Sequence, residues 1–119
     1  MGQKKYKWHK VADTEADIQW SPGEIGEVSL DGKMICIARS GDNLYGFSHT
    51  CPHAGAPMTD GYLDSGCNVV CPVHQLRFNL KDGRDTQDEG YKLKVYPVER
   101  RPDGIFVGQE EGGGLFKWF

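Results

Sequence analysis

The chain has 119 residues, 38% of them hydrophobic and 26% charged, and carries a formal net charge of -3. That length suits one domain with a real apolar core and leaves no room for a catalytic domain beside a separate cofactor domain. No apolar run approaches the roughly 20 residues of a membrane helix, and Lys and Arg are scattered rather than gathered into a footprint for nucleic acid.

The opening Met1-Gly2-Gln3-Lys4-Lys5-Tyr6 is basic, but polar residues follow it where a secretory signal needs an apolar stretch. Tyr6 also stands where a myristoylation signal wants Ser or Thr. The expected location is therefore cytoplasmic, where four cysteines read as thiols or metal ligands rather than as a disulfide framework.

Short apolar and β-branched runs separated by turn signals predict an all-β fold, and the 16 glycines suit its many turns. A strand is expected over 6–11, then a short helical turn over 14–18 with Thr14 as its cap and Asp17 three residues on. Strands over 24–30 and 33–39 flank Asp31-Gly32, a two-residue hairpin signal. The second of these contains Met34-Ile35-Cys36-Ile37-Ala38, a continuously apolar run expected of a strand buried on both faces, which makes Cys36 core packing. A strand over 43–48 follows. Pro57, Gly61 and Gly66 mark the next stretch as loops, before strands over 68–71 and 76–80. Asp82-Gly83 and Pro102-Asp103-Gly104 supply turn chemistry around strands over 93–99 and 105–108. The chain divides into a domain over 1–111 and a tail over 112–119, in which three glycines precede Leu115-Phe116-Lys117-Trp118-Phe119. That tail either folds back on its own sheet or docks on a partner.

Two clusters carry the chemistry: His49-Thr50-Cys51-Pro52-His53 and Cys71-Pro72-Val73-His74. Each supplies a thiolate and an imidazole. A redox-active iron pair wants soft thiolates on one iron, while neutral imidazoles on the other leave less negative charge and raise the potential. Cys-x-His, then 17 intervening residues, then Cys-x-x-His lets two loops offer one ligand of each type to a shared cluster. The prolines after both cysteines stiffen the loops and remove an amide donor from each.

Tetrahedral zinc also takes two Cys and two His, but zinc modules pair cysteine with cysteine and histidine with histidine, whereas each loop here mixes the types. A thiol nucleophile would need an orienting third group and a substrate pocket. His49 flanks Cys51 at the same distance as His53 and is a rival ligand. Cys67 reads as a thiol at a strand start, and His9 as a surface residue.

These residues resemble the signature of the Rieske family. The resemblance implies an antiparallel β-sandwich with a small cluster-binding subdomain formed by two loops. It implies one [2Fe–2S] cluster, with Cys51 and Cys71 on the inner iron and His53 and His74 on the outer iron nearer solvent, and it selects His53 over His49. The likeness covers nearly the whole chain, including the approach from Tyr6 to the first loop and the closing run Gly104-Ile105-Phe106-Val107. High-potential members join the loops by a disulfide, but the matching positions here look like Ala56 and Val73, so that disulfide is not expected. The run His74-Gln75-Leu76-Arg77-Phe78 has Gln75 where many dioxygenase-type ferredoxins have Gly, a variant similar to small subunits of assimilatory nitrite reductases. The implied function is a one-electron carrier with no substrate chemistry of its own, linking a reductase donor to an oxygenase or other reductase acceptor. Its potential is expected toward the lower part of the Rieske range of roughly −150 to +300 mV. The alternative is an accessory subunit held in a larger reductase.

Overall fold

The structure, a computed structural model, describes residues 5–52, 55–73, 75–87 and 89–110. Among these, ten strands form three antiparallel sheets. The first sheet has the order β1 (Tyr6–Ala12), β10 (Gly104–Glu110), β9 (Val98–Arg101), and the second the order β2 (Ile25–Leu30), β3 (Lys33–Ser40), β4 (Asn43–Ser48), β8 (Val95–Tyr96). The third runs β5 (Tyr62–Leu63), β6 (Asn68–Val70), β7 (Arg77–Asn79). Two short 3₁₀ turns, Glu15–Asp17 and Met58–Asp60, complete the elements. No helix among the described residues is long and apolar enough to cross a membrane.

The β3 strand organises the molecule. Ile35, Cys36, Ile37 and Ala38 are all fully buried, and their side chains alternate between two cores. Ile35 and Ile37 pack with Val28, Leu30, Tyr96, Ile105 and Val107 against the first sheet. Cys36 and Ala38 face the opposite way, among Phe47, Met58, Val69 and Phe78, where Cys51 and Cys71 also lie. Period-two geometry turns one apolar run into two half-cores, and burying an Ile side chain contributes about 1.5–3 kcal/mol. Met34, at the start of that run, is 45% exposed, because it pairs with Ser29 beside the hairpin end rather than under a neighbouring sheet.

Local chemistry sets the connections. Asp31 and Gly32 both take positive φ (53° and 81°), the geometry of a two-residue hairpin turn. The 3₁₀ turn at Glu15 forms as expected: Thr14 donates its amide to the Asp17 carboxylate (3.2 Å), and the Asp17 amide returns to the Thr14 carbonyl (3.1 Å). Glu15 then ties this turn to the sheets, pairing with Arg100 (2.5 Å) and Arg39 (3.6 Å).

Several expectations are corrected. The strand expected over 93–99 is two strands in different sheets: β8 pairs with β4, β9 with β10, and Pro97 between them has no amide to donate to a ladder. The strand expected from residue 24 starts at Ile25, because Glu24 has φ 66°. Between the two Cys clusters, read as loops, Tyr62 and Leu63 pair with Val70 and Val69. His9 is not a bare surface residue; it is half-buried, with Nε2 3.1 Å from Oε1 of Gln109 on β10.

After β7 the chain turns through Gly83 (φ 81°), where a Cβ would lie 1.9 Å from the Leu93 carbonyl oxygen. The following loop is organised by the buried Asp85 carboxylate, which accepts the amides of Gln87 (3.1 Å), Glu89 (2.9 Å) and Tyr91 (2.8 Å). Removing one acceptor that serves three amides strands several donors at once, so Asp85→Ala is expected to lower stability by about 2–3 kcal/mol in urea unfolding, while Asp82→Ala on the exposed neighbouring turn changes it by about 1 kcal/mol or less.

Candidate metal centre

Two loops at one end of the second core carry the candidate ligands. The first leaves β4 and the second joins β6 to β7. They are built alike. The Cys51 amide donates to the Ala56 carbonyl (2.8 Å), and the Cys71 amide to the Leu76 carbonyl (2.8 Å), so each loop is closed from its cysteine to the residue five positions on. Each reverses through a left-handed residue just before that closure: Gly55 with φ 71° and Gln75 with φ 54°. Aligned in this way, Cys-Pro-His-Ala-Gly-Ala matches Cys-Pro-Val-His-Gln-Leu position for position in length. The first loop is further tied by the Gly55 amide to the Cys51 carbonyl (2.7 Å) and the Met58 amide to the His49 carbonyl (2.7 Å).

This construction brings Cys51 and Cys71 into side-chain hydrogen-bond contact, both buried and both free thiols. The prolines that follow them, and Val73, are exposed, so the loops turn their tips to solvent. Burial pushes the Cys71 thiol up to about 11, with the Cys51 contact adding to the rise and the Val73 amide at its sulfur opposing it. A thiolate pair in such an apolar site needs a cation, and two soft sulfur donors select a soft or borderline metal such as iron or zinc. The donor set therefore fits the two-cysteine half of an iron–sulfur site.

His53 and His74 lie outside the described residues. The rival His49 is turned away, its Nε2 2.5 Å from a Glu27 carboxylate oxygen on β2. Cys67 does not join the pair. It precedes β6 with φ 64°, and its side chain is hydrogen-bonded to Tyr45, raising the Tyr45 phenol. Cys36 is core, as its sequence context implies, and burial, helped by the Glu27 charge, pushes its thiol up to about 12. No disulfide joins the described cysteines, and Ala56 and Val73 supply no thiol for one. Sequence reasoning missed the five-residue closures and the Val73 amide. The equal spacing from each Cys-Pro to Ala56 and Leu76 was the available signal.

Residues 7–97 match the family model for the Rieske [2Fe-2S] domain. The chain belongs to the Rieske [2Fe–2S] family. Among its Rieske relatives is the ferredoxin component of the naphthalene 1,2-dioxygenase system of Pseudomonas aeruginosa, 32% identical over 103 residues that make up 82% of this chain and 94% of the relative. The fold is similar to that in a complex of reduced oxygenase and oxidized ferredoxin in carbazole 1,9a-dioxygenase (TM-score 0.70, 32% identity, 88% of this chain and 95% of the other). It is also similar to a structure described as a putative NADH-dependent nitrite reductase small subunit from Mycobacterium tuberculosis (TM-score 0.69, 25% identity, 91% of this chain and 97% of the other). A Rieske domain implies a [2Fe–2S] cluster.

Two outcomes follow from this site. Thiols whose folded pKa is raised above the usual value near 9 favour the folded metal-free chain up to that pH, and the advantage is lost as pH rises toward about 11 for Cys71 and about 12 for Cys36. Urea unfolding of the metal-free chain should therefore show lower stability at about pH 10 than at about pH 8, with the loss reduced in Cys36→Ala. At Gln75, a non-glycine residue in left-handed geometry carries a strain of roughly 1–2 kcal/mol, so Gln75→Gly should leave stability within about 1 kcal/mol while β-branched Gln75→Val loses at least that much.

Proposed function

We propose that Cys51, His53, Cys71 and His74 hold one [2Fe–2S] cluster, and that the chain is a one-electron carrier between a reductase and an oxygenase or another redox enzyme, with no substrate chemistry of its own. The observation that carries this reading is the buried, disulfide-free contact of Cys51 with Cys71 between two loops closed alike, each with a His two or three residues after its Cys in the sequence. When bound, the cluster supplies reversible one-electron redox chemistry. The chain's own contribution is to fix two soft donors, to exclude water on their inner side with Phe47, Met58 and Phe78, and to present the Val73 amide to the Cys71 sulfur. The dioxygenase ferredoxin component and the ferredoxin seen with its oxygenase support an oxygenase as acceptor. The free thiols of the described cysteines suit the reducing cytoplasm, where we place the protein.

A second reading, a cluster-bearing subunit of a nitrite reductase, is favoured by the Mycobacterium tuberculosis likeness and by Gln75 after His74. Size measurement of the purified chain beside its neighbouring gene products separates a free shuttle from a held subunit.

The deciding experiment is low-temperature EPR of the reduced protein with iron and sulfide analysis. Iron and sulfide in equal amounts and an average g below that of an all-cysteine cluster are expected, whereas a zinc protein gives no signal. His74→Cys puts an anionic thiolate in place of a neutral imidazole, stabilises the oxidised state and should lower the potential by on the order of 100 mV or more in voltammetry. An unchanged potential removes His74 from the ligand set.

A further inference from the structure

The two ligand-bearing loops are closed alike but anchored differently. The second stands on a ladder, since β6 and β7 on its two arms pair directly through Asn68 and Asn79, Val69 and Phe78, and Val70 and Arg77. The first has a strand on its leading arm, β4, which ends at Ser48, while its return arm passes into the 3₁₀ turn Met58–Asp60. Below Cys51 the two arms are linked by the Met58 amide on the His49 carbonyl (2.7 Å) and by a bridge between Thr50 and Pro57. Beside the return arm lies a hollow of about 520 Å³, lined in part by Thr59 and by Glu27 of β2. His49, where the two arms are joined, is reached from outside the loop by Glu27, whose Oε2 lies 2.5 Å from its Nε2. Glu27 pairs with Cys36 across the ladder, so it stands on the face of the second sheet that carries Cys51 and Cys71.

We propose that Glu27 is a positioning residue for the metal centre, tying the first loop to β2 through His49 and so holding Cys51 beside Cys71. The proposal deepens the reading of Cys51 as a metal ligand and rests on it. A carboxylate accepts strongly from an imidazole N–H, and Glu27 is itself fixed by its place in the β2–β3 ladder. With the Glu27 and His49 side chains 42% and 28% exposed, the pair adds little to overall stability. Its effect is local: it removes freedom from a return arm that lies outside the three sheets. The first loop gains from a side chain what the second takes from its strands.

Amide hydrogen exchange on the intact protein as isolated tests this. Glu27→Ala removes the acceptor, His49→Phe removes the donor, and Glu27→Gln keeps an oxygen for the His49 N–H. Glu27→Ala and His49→Phe should each speed exchange in peptides covering 50–58 by about fivefold, with those covering 68–79 unchanged. The double variant should be no faster than either single one, because both remove the same tie. Glu27→Gln should stay within about twofold of the parent, a rescue that a general role in stability does not predict. Equal exchange in the parent and Glu27→Ala overturns the proposal. So do additive effects in the double variant, full acceleration in Glu27→Gln, or acceleration shared by 68–79. Iron and sulfide measured on the same samples judge the metal centre separately: a parent without them fails that reading, while the exchange still decides the tie.

Discussion

Everything in this molecule depends on one strand having to satisfy two cores. The β3 strand is paired on both edges, with β2 and β4, and covered on both faces, so none of its side chains between Ile35 and Ala38 has an alternative to burial. The two isoleucines fix the sheet that packs behind it, while small Cys36 and Ala38 leave room on the other face for Phe47, Phe78 and the two cysteine loops. A larger residue at either small position would push against the core that holds Cys51 and Cys71, which ties the geometry of the two loops to the volume of two small side chains.

The loops hold their shape by backbone rather than by covalent bonds. No disulfide joins the described cysteines. Here each cysteine amide is used to close its own loop, and each loop is terminated by a residue in left-handed geometry. Glycine meets that requirement in the first loop without strain. Glutamine meets it in the second at some cost, which the surrounding closure holds in place.

Much of this was legible in the sequence because it rests on side-chain chemistry and simple periods. The Cys-Pro runs that start both loops, the Asp31-Gly32 hairpin and the unalternating run from Ile35 to Ala38 all show in residue types. What was not legible depends on contacts between segments far apart in the chain. Nothing local shows that Val95 and Val98 belong to different sheets, although Pro97 between them is the physical cause. The pairing of Tyr62 and Leu63 is two residues long and has no period to read. His49 and His53 are equivalent by spacing alone, and the contact of His49 with Glu27, 22 residues earlier, cannot be read from the sequence around either histidine.

The closure of each loop through its cysteine amide also bears on how fast a carrier of this kind works. Electron exchange slows when the groups around a redox centre must move to accommodate a new charge, and on the proposed assignment those groups include Cys51 and Cys71. Here Cys51 and Cys71 are anchored through their own amides to Ala56 and Leu76, and the Val73 amide is already aimed at the Cys71 sulfur. A unit of charge arriving between these loops meets dipoles that are in place beforehand, so the reorganisation demanded of the protein is small.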